Sequence, residues 1–445
     1  MSWQDALRAR LKSLSPKSRK RILFVWNLLS NPCRTILLVA LLVRCRFYRY
    51  FLLESLVARK AKKHQINVVF LVTNVSMWKH DGLFRLMQKH PRFRPIVVSA
   101  MRPNESEEEQ RVDQEQMEVF FSERGFEFVR GYDFQTRKWL SLESLSPDML
   151  FYTQPYTDIV VPEYYFYKHW EALLCYVPYA FETTAERWTY NCPYQNSAWK
   201  IFLPTELHRE DARSLSSVKA ENCYVTGYPT ADEYAAGSIC NANAWRNTIS
   251  KGKRIIWAPH HSILPAEMYG SSSFLQYCDA MLRLAKKYSG KAIFAFKPHP
   301  MLLTKLYKVW GKEKTDAYYA EWDNLENTFV SGGEYKDLFL ESDALIHDCG
   351  SFSVEYLYVQ KPTMFLYKQN RTARESEFGK RALDVHYAGY SIQDIERFVE
   401  EVVLGGNDPK KEERERFYNK YLLPPNGQSV AQNILDEIER GLGWK

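Results

Sequence analysis

The chain contains two successive series of short apolar runs, and the runs alternate with stretches whose apolar residues have helical spacing. Such a pattern is typical of buried parallel strands joined by crossover helices. In the first series the runs predict strands at Ile66–Val72, Arg94–Ala100, Phe126–Gly131, Met149–Tyr152, Leu173–Pro178 and Trp199–Leu203. In the second series they predict strands at Arg254–Ala258, Lys291–Phe296, Thr328–Ser331, Ala344–His347 and Thr363–Tyr367. The sequence therefore predicts an α/β protein with two Rossmann-like domains.

The predicted domain limits follow from where this pattern starts, stops and restarts. We expect a basic amphipathic helical leader over residues 1–63, a first domain over 64–235, a second over 250–395 and a charged helical tail over 396–445. Turn formers and small residues that follow Gly227-Tyr228-Pro229 predict a linker. A tail that crosses back would give the two-Rossmann arrangement of nucleotide-sugar transferases. The alternative is a fusion of two unrelated α/β domains.

The positive charge of the chain is concentrated in the leader. Its 63 residues contain fifteen Lys and Arg side chains and two carboxylates, a net charge of +13, whereas the whole chain carries +7 and the rest therefore −6. A nucleic-acid binder would carry its positive charge on the folded body, so no nucleic-acid partner is expected. Apolar residues alternate with the cations, as in helices that lie on an anionic membrane surface. We predict a peripheral protein at the cytoplasmic face of the cell membrane.

Other placements of the leader stay open. Its longest apolar run, Thr35–Val43, would span ~14 Å as a helix, about half of a hydrocarbon core. A full transmembrane helix is therefore not predicted, and a re-entrant or short spanning segment is one alternative. The other is that the leader helices pack on the folded body while their cations face water.

Several common cofactor and metal motifs are absent from the sequence. No GxGxxG follows Ile66–Val72, and no GxxxxGK[ST] occurs, so dinucleotide dehydrogenases and P-loop NTPases lose their main support. The eight cysteines are scattered without a CxxC pair, which indicates reduced thiols rather than a zinc site or a disulfide framework. We expect neither a cofactor nor a metal.

Two histidine-containing loops follow predicted strands of the second domain, where open α/β sheets bind ligands. The first reads Ala258-Pro259-His260-His261-Ser262. Adjacent histidines point in different directions, and we expect His260 to face a ligand, with a structural role as the alternative. The second reads Phe296-Lys297-Pro298-His299-Pro300. Prolines on both sides fix the backbone around His299, and an imidazole beside Lys297 suits phosphate contact or proton transfer.

A third loop follows Ala344–His347 and reads Asp348-Cys349-Gly350-Ser351-Phe352-Ser353-Val354-Glu355. Gly350 lets the backbone approach a ligand, Ser351 supplies a hydroxyl, and the helix that begins here offers free N–H groups to a diphosphate. Glu355, about one turn further on, can accept hydrogen bonds from ribose hydroxyls. The alternative is an ordinary helix capped by Ser351 or Ser353. We favour a nucleotide site, because a cap and a phosphate site can coexist.

The order of these loops, APHHS, FKPHP and HDCGSFSVEYLYVQKPTMFLYK, resembles the second domain of the CDP-glycerol glycerophosphotransferases. These teichoic-acid primases and polymerases have a GT-B fold. The resemblance covers about residues 220–370 and includes Thr226-Gly227-Tyr228-Pro229, which is similar to the family's G-x-P turn. It implies a catalytic and phosphate-binding role for His299. It also implies nucleotide binding by Asp348, Ser351 and Glu355, with Ser353 and Gly227 beside them.

The chain departs from this family at two places. Family members carry a W-H-G-type motif in the first domain, whose histidine is the proposed base. The corresponding segment here, Cys175-Tyr176-Val177-Pro178-Tyr179-Ala180-Phe181-Glu182, has no histidine. We expect Glu182 to serve as the base, with Tyr179 in an orienting role. Gly350 occupies the family's first serine position, so the donor and the acceptor can differ from those of the family.

The sequence thus predicts a membrane-associated transferase of cell-surface polymer synthesis. The donor would be CDP-glycerol or another nucleotide-diphosphate compound, and the acceptor a lipid-linked or glycan hydroxyl. Attack at phosphorus would transfer glycerol phosphate, and attack at an anomeric carbon would transfer a sugar. One alternative is a nucleotide-sugar 2-epimerase-like isomerase, which has no use for a basic leader. The other is a non-catalytic scaffold with a degenerate nucleotide site.

Overall fold

The computed structural model describes residues 32–235, 244–245, 252–264, 272–333, 335–368 and 375–445. Residues 1–31 of the predicted leader and most of the predicted linker lie outside the described residues.

The first sheet contains seven parallel strands in the order β3-β2-β1-β6-β7-β8-β9. The strands are β1 Ile66–Val72, β2 Phe93–Ser99, β3 Phe128–Val129, β6 Met149–Tyr152, β7 Leu173–Tyr176, β8 Lys200–Leu203 and β9 Cys223–Val225, with a separate ribbon of β4 Tyr132–Asp133 and β5 Lys138–Trp139. Residues of β1 such as Val68, Phe70 and Val72 are fully buried, because helices cover both faces. β9 was not predicted from the sequence, because Asn222 and Thr226 flank its three residues and leave no longer apolar run.

The second sheet contains six parallel strands in the order β12-β11-β10-β13-β14-β15. The strands are β10 Lys253–Ala258, β11 Ala292–Phe296, β12 Thr328–Val330, β13 Ala344–His347, β14 Thr363–Leu366 and β15 Tyr387–Gly389. Strands β10 to β14 confirm the five predicted strands, and their ends differ from the predicted ends by no more than one residue. β15 was not predicted. The predicted α/β fold with parallel sheets is confirmed.

The helices lie mainly between the strands. Their bounds are Pro32–Phe47, Leu53–Ala61, Asp81–Lys89, Glu107–Glu123, Arg187–Tyr190, Pro193–Ser197, Glu206–Leu215, Thr230–Ala235, Phe274–Lys287, Pro300–Trp310, Lys312–Asn324, Lys336–Glu341, Phe352–Glu355, Glu377–Asp384, Ile392–Arg397, Lys411–Phe417 and Val430–Gly441. π-Helical turns extend three of them, at Tyr48–Leu52, Phe398–Leu404 and Tyr418–Leu422. Between β6 and β7 the chain forms two short 3₁₀ turns, Pro162–Tyr164 and Phe166–Lys168.

Strand order places a crevice in each sheet. In the second sheet the chain runs outward from β10 to β12 and then crosses to β13 on the other side. The loops after β10 and β13 therefore diverge at a topological switch point, where open α/β sheets bind ligands. The first sheet has its own switch point between β1 and β6.

One of the apolar clusters spans both domains. Phe181, just after β7, stacks on Phe378 with ring centroids 5.2 Å apart. Ser376 donates its backbone N–H to the carbonyl of Thr183 at 2.9 Å. A Cβ atom at Gly379 would lie 2.0 Å from that carbonyl oxygen, so only glycine permits the approach. The segment after β7 is therefore held directly against the second domain.

The end of the chain returns to the first sheet. The helix Val430–Gly441 packs on the helix Asp81–Lys89. The Nζ atom of Lys200, in β8, lies 2.7 Å from Oε1 of Glu437, and both side chains are largely buried. Beyond the helix, the indole N–H of Trp444 donates to the carbonyl of Ala61 at 3.0 Å. The end of the tail, from Val430 on, thus binds the first domain, whereas Phe398 and Val399 belong to the core of the second sheet.

The described part of the predicted leader also packs on the first domain. Tyr48, Leu53 and Leu56 are buried in the core of the first sheet. Lys60 and Lys63 each donate to Oδ1 of Asp148 at 2.7 Å. These two ion pairs fix the helix Leu53–Ala61 and the residues after it to Asp148, which directly precedes β6.

The opposite face of the same segment carries exposed apolar side chains. Those at least half exposed are Ile36, Leu37, Leu38, Val39, Val43, Phe47, Tyr50 and Phe51. Across the described ranges, no helix has the length and apolar character that a membrane crossing would need.

We expect Asp148→Asn to lower the free energy of unfolding by about 3 kcal/mol near pH 7, because it leaves the buried Lys60 ammonium without its counter-charge. Burial raises the pKa of the Asp148 carboxyl, but hydrogen bonds from Lys60, Lys63 and Asn67 outweigh this and hold it below its usual value. The carboxylate therefore stabilises the fold above its unfolded pKa, and this contribution is lost as the pH falls.

Urea unfolding near pH 7 and pH 3 measures the effect, with the exposed Asp158→Asn as the matched control. An equal loss at both pH values would contradict the role given to the ion pair.

Candidate functional site

Three loops of the second sheet meet at its switch point. They follow β10, β11 and β13, and they carry His260, His261, His299 and the segment from Asp348 to Glu355. The fold therefore brings these three loops together, as the sequence predicts.

Three imidazoles form the centre of this cluster. One ring nitrogen from each of His260, His261 and His299 lies within 4.8 Å of the others. The ring centroid of His261 is 4.2 Å from that of His260 and 4.3 Å from that of His299. The expectation that only one of the adjacent histidines would face the site was wrong, because the turn after β10 brings both rings to the same side.

Hydrogen bonds at Nδ1 favour one tautomer of each ring, although Nδ1 of His260 also lies 2.8 Å from the Ser262 hydroxyl. Nδ1 of His299 accepts the backbone N–H of Met301 at 3.1 Å and thereby caps the helix Pro300–Trp310. Nδ1 of His260 accepts the backbone N–H of Ser262 at 3.2 Å. Nδ1 of His261 lies 2.6 Å from the ammonium of Lys305. A neutral imidazole whose Nδ1 accepts carries its proton on Nε2, so each ring presents an N–H donor.

The rings of His260 and His299 are neutral at physiological pH. Burial, helped by neighbouring positive groups, lowers the pKa of His260 to about 3 and that of His299 to about 4. A metal ion would need an unprotonated ring nitrogen, and each Nδ1 lone pair already accepts a hydrogen bond. The cluster is therefore suited to an anion and poorly suited to a metal.

Two lysines add positive charge to these donors. Lys297 is buried, and its Nζ donates to the carbonyl of Gly333 at 2.8 Å and lies 5.9 Å from the ring centroid of Tyr335. Lys305 projects from the helix Pro300–Trp310 onto His261. Charge of this sign beside N–H donors fits phosphate oxygens.

The predicted nucleotide contact at Asp348 needs correction. Its carboxylate is almost fully buried and accepts the backbone N–H of His260 at 2.5 Å and that of Ser273 at 2.6 Å. Burial raises the pKa of the carboxyl, and these hydrogen bonds oppose that rise. Both oxygens are occupied by protein donors, so Asp348 positions the His260 loop instead of contacting a diphosphate.

The loop after Asp348 is open at one point. A Cβ atom at Gly350 would meet only Oγ1 of Thr183, at 3.6 Å, so space remains above the backbone. Ser351 is partly exposed, and its side chain does not cap the helix Phe352–Glu355. Ser353 is buried and donates to the carbonyl of Gly350, so the predicted ligand contact by its hydroxyl was wrong.

Glu355 is likewise turned away from solvent. It is buried and accepts a hydrogen bond from the Tyr335 hydroxyl. The tyrosines Tyr228, Tyr234 and Tyr358 lie close enough for the carboxylate to help raise their pKa values, although burial is the larger cause. The predicted contact with ribose is not available to a carboxylate enclosed in this way.

Gly227 has a packing explanation. Its φ is +88°, and a Cβ atom there would lie 2.9 Å from Cγ2 of Val430 and 3.2 Å from Cα of Pro424. The absence of a side chain at Gly227 allows the C-terminal tail to pack against this turn. Gly227 therefore has a packing role and not the predicted nucleotide contact.

Glu182 lies on the other side of the boundary between the domains. It lines a cavity at the carboxyl end of the first sheet, and its neighbour Thr183 faces Gly350. Burial raises the pKa of the Glu182 carboxyl from 4.5 to about 7.

Sequence reasoning missed His261 and Lys305 in the anion cluster, and Thr189 and Gln195 in the cavity beside Glu182. Lys305 lies six residues after His299, on the helix that the histidine caps, and that spacing was the available signal. Thr189 and Gln195 fall in short irregular helices with no recognisable motif.

Comparison with known proteins gives a family match. The model of the family described as CDP-glycerol:poly(glycerophosphate) glycerophosphotransferase matches residues 182–440. No curated protein matches the sequence.

Solved structures match the fold. The wall teichoic acid polymerase TagF has a TM-score of 0.54 at 13% identity, over 94% of this chain and 97% of that chain. The S. aureus MnaA–UDP co-structure has a TM-score of 0.56 at 13% identity, over 86% of this chain and 98% of that chain. UDP-GlcNAc 2-epimerase from Neisseria meningitidis, bound to UDP-GlcNAc, has a TM-score of 0.56 at 14% identity, over 84% of this chain and 100% of that chain. At these identities the likeness shows a shared α/β fold with parallel sheets.

We expect Glu182→Gln to raise the melting temperature near pH 8 by a few degrees and to change it little near pH 5. The raised pKa means that the folded state holds this proton more tightly than the unfolded state, so the wild type loses stability as the pH rises from about 4.5 to about 7, by at most about 3 kcal/mol. Thermal unfolding measures this, with the exposed Glu123→Gln as control. A melting-temperature difference that does not depend on pH would contradict the raised pKa.

Proposed function

Because this chain belongs to the CDP-glycerol:poly(glycerophosphate) glycerophosphotransferase family, and is thus a transferase, we propose that it moves glycerol phosphate from CDP-glycerol to a lipid-linked or glycan hydroxyl. A related polyol phosphate or sugar on another nucleotide diphosphate is the broader form of the proposal. The family supports a nucleotide-linked transfer in teichoic-acid synthesis. The donor and the acceptor themselves are the proposed parts.

The observation that carries the proposal is the anion cluster. Three imidazoles, each with a hydrogen bond at Nδ1, lie together at the switch crevice beside two lysines. N–H donors gathered in a partly buried crevice stabilise negative charge strongly, because little reorganisation is needed. A diphosphate that becomes more negative at its leaving oxygen fits this arrangement.

Each residue has a defined part in the proposed donor site. His299 and His260 donate Nε2–H to oxygens of the diphosphate, and Lys297 supplies charge to the leaving nucleotide. Gly350 and Ser351 let the backbone approach the phosphates. Asp348 holds the His260 loop in place through its buried hydrogen bonds.

The transfer itself is an in-line displacement. The acceptor oxygen attacks the phosphorus that carries glycerol, the bond from that phosphorus to the bridging oxygen breaks, and CMP leaves with the electron pair. Attack at an anomeric carbon of a nucleotide sugar would instead give a glycosyl transfer. The family favours the first course.

The exposed apolar face of residues 36–52 supports the proposed placement at the cytoplasmic face of the membrane. Ile36, Leu37 and Phe51 are 67%, 70% and 70% exposed, and Arg46 lies on the same segment. Apolar side chains beside cations favour the surface of an anionic bilayer. Attachment here would hold the proposed donor site near a lipid-linked acceptor.

The epimerase alternative has less support. Epimerase structures share the fold, but the family match covers more than half of the chain and points to transfer. The scaffold alternative rests on the absence of the family's first-domain histidine, whereas the family match points to a transferase.

We expect His299→Asn to reduce CMP release from CDP-glycerol by at least about 100-fold, because Asn keeps an acceptor for the helix cap but removes the Nε2–H donor. Release is measured with membranes that supply the acceptor. The exposed His64→Asn is the matched control and should keep wild-type turnover. Wild-type rates in the His299 variant would overturn the role given to this ring, and absence of turnover with CDP-glycerol, CDP-ribitol and UDP-sugars would overturn the transferase proposal.

We expect the triple variant Ile36→Gln, Leu37→Gln, Phe51→Gln to lose most binding to anionic vesicles. Deletion of residues 1–63 is a poor test, because Tyr48, Leu53 and Leu56 belong to the core. Co-sedimentation with phosphatidylglycerol vesicles measures the effect, with Val119→Gln as a control at an exposed apolar position elsewhere. Unchanged sedimentation of the triple variant would exclude this face as the membrane contact.

A further inference from the structure

A polar groove lies along the outer edge of the first sheet. The edge strand β9 lies between the helices Glu206–Leu215 and Val430–Gly441, and residues of all three elements line the groove. It encloses about 220 Å³, far more than the ~30 Å³ share of one water molecule. The lining residues are Glu206, Arg209, Tyr224, Val225, Thr226, Asn426, Gln428, Asn433, Asp436, Glu437 and Arg440. They are distinct from the residues of the anion cluster and of the cavity beside Glu182.

A rigid turn forms the rim of this groove. Two prolines precede Asn426, which adopts a left-handed conformation with a φ of +66°. The buried side chain of Asn433 donates to the carbonyl of Thr226 at 3.3 Å and to that of Pro425 at 2.9 Å. These two hydrogen bonds fasten the turn to the end of β9. The exposed amides of Asn426 and Gln428 are therefore held at a fixed place beside the groove.

The carboxylates in the lining already have cationic partners. Oε1 of Glu437 lies 2.7 Å from Nζ of Lys200. Oδ1 of Asp436 lies 2.6 Å from Nζ of Lys445. A charged ligand would have to take a partner from such a pair and leave the other charge uncompensated, which is costly. A neutral ligand leaves these pairs intact.

One buried donor in the lining lacks a partner. Nε of Arg209 is enclosed without a hydrogen bond in the described part of the chain, although another nitrogen of the same guanidinium lies 2.9 Å from Oε2 of Glu206. Buried polar atoms of this kind are normally paired. An oxygen atom of a ligand in the groove would accept the hydrogen bond that Nε can donate.

The chemistry of the lining fits a sugar. Amide, carboxylate and guanidinium groups each offer two hydrogen-bonding positions side by side, which suits neighbouring hydroxyl groups. Tyr224 is half-buried in the lining and adds an apolar surface for the C–H groups of a sugar ring. The ammonium of Lys200 lies 3.7 Å from the centroid of the Tyr224 ring and holds that ring in place.

We propose that this groove is a carbohydrate-binding site for a neutral oligosaccharide, separate from the site at the anion cluster. It ends at Thr226, the residue before the Gly227 turn that leads towards the second domain. A sugar bound there lies outside the reacting site, whether it belongs to the acceptor chain or to a separate glycan. The inference goes beyond the proposed function and does not depend on it.

Saturation-transfer NMR and calorimetry with the full chain test the proposal. The neutral probes are cellobiose, maltose and N,N′-diacetylchitobiose, and digalacturonic acid is the anionic counterpart. We expect at least one neutral disaccharide to bind saturably, with the same Kd in the presence and absence of saturating CDP-glycerol. We expect digalacturonic acid to bind more weakly, because its carboxylates would lie beside those of the groove.

A double variant locates the binding. Arg209→Lys combined with Asn426→Gly should raise the Kd of the disaccharide at least about 10-fold, because the unpaired Nε donor and the rim amide are removed. Lysine keeps the charge, and glycine accepts a φ of +66°. Arg213→Lys, one turn further along the same helix and outside the lining, is the matched control. Thermal unfolding checks that each variant keeps the wild-type fold.

Turnover distinguishes the two sources of the sugar. If the double variant needs more acceptor for half-maximal CMP release, the sugar belongs to the acceptor chain. If its requirement for acceptor is unchanged, the sugar belongs to a separate glycan.

The contrary outcomes are distinct. Absence of binding by all three neutral disaccharides, or wild-type affinity in the folded double variant, would overturn the assignment of the groove. Competition between the disaccharide and CDP-glycerol would overturn its separation from the donor site, and equal affinity for digalacturonic acid would overturn the preference for a neutral ligand. Failure of CDP-glycerol and other nucleotide-diphosphate donors to bind, with disaccharide binding intact, would instead overturn the proposed function alone.

Discussion

The buried carboxylate of Asp348 is the interaction on which the second-domain site depends. It stands at the end of β13 and accepts backbone N–H groups from His260 and Ser273, which are 88 and 75 residues away in sequence. One side chain thus joins the loop after β10, the loop after β13 and the start of the helix Phe274–Lys287. A buried carboxylate with such donors tolerates little displacement, because a lost hydrogen bond would leave charge unpaired in the interior. The direction of the His260 ring follows from this constraint.

The two sides of the cleft differ in charge, and this difference organises the proposed reaction. On the second domain, neutral imidazoles and two lysines gather around one point and suit a diphosphate. On the first domain, neither Lys nor Arg lines the cavity beside Glu182. The body of the protein carries a net charge of −6, so its attraction for phosphate is local and separate from the basic segment at the N-terminus.

Much of the fold was predictable from the sequence, because each buried parallel strand is a continuous apolar run. β9 and β15 were missed because neither lies in a longer apolar run: Asn222 and Thr226 flank β9, and β15 contains Gly389. The three loops of the site were found because they follow apolar strands and combine histidine, glycine and serine. The roles of Asp348, Ser353 and Glu355 were not predictable, because a polar residue in a loop can point to a ligand or to the backbone. Only the packing decides this, and here it turned all three inward.

The proposed donor site places a nucleotide diphosphate against imidazoles protonated on Nε2. Nitrogen-15 NMR of the histidine side chains, recorded during titration with CDP-glycerol, measures this. We expect His260, His261 and His299 to show the Nε2–H tautomer in the free protein, and the signals of His260 and His299 to shift on saturation while that of His64 does not. Saturable binding that leaves these two signals unchanged, or a free protein whose three rings are protonated on Nδ1, would contradict it.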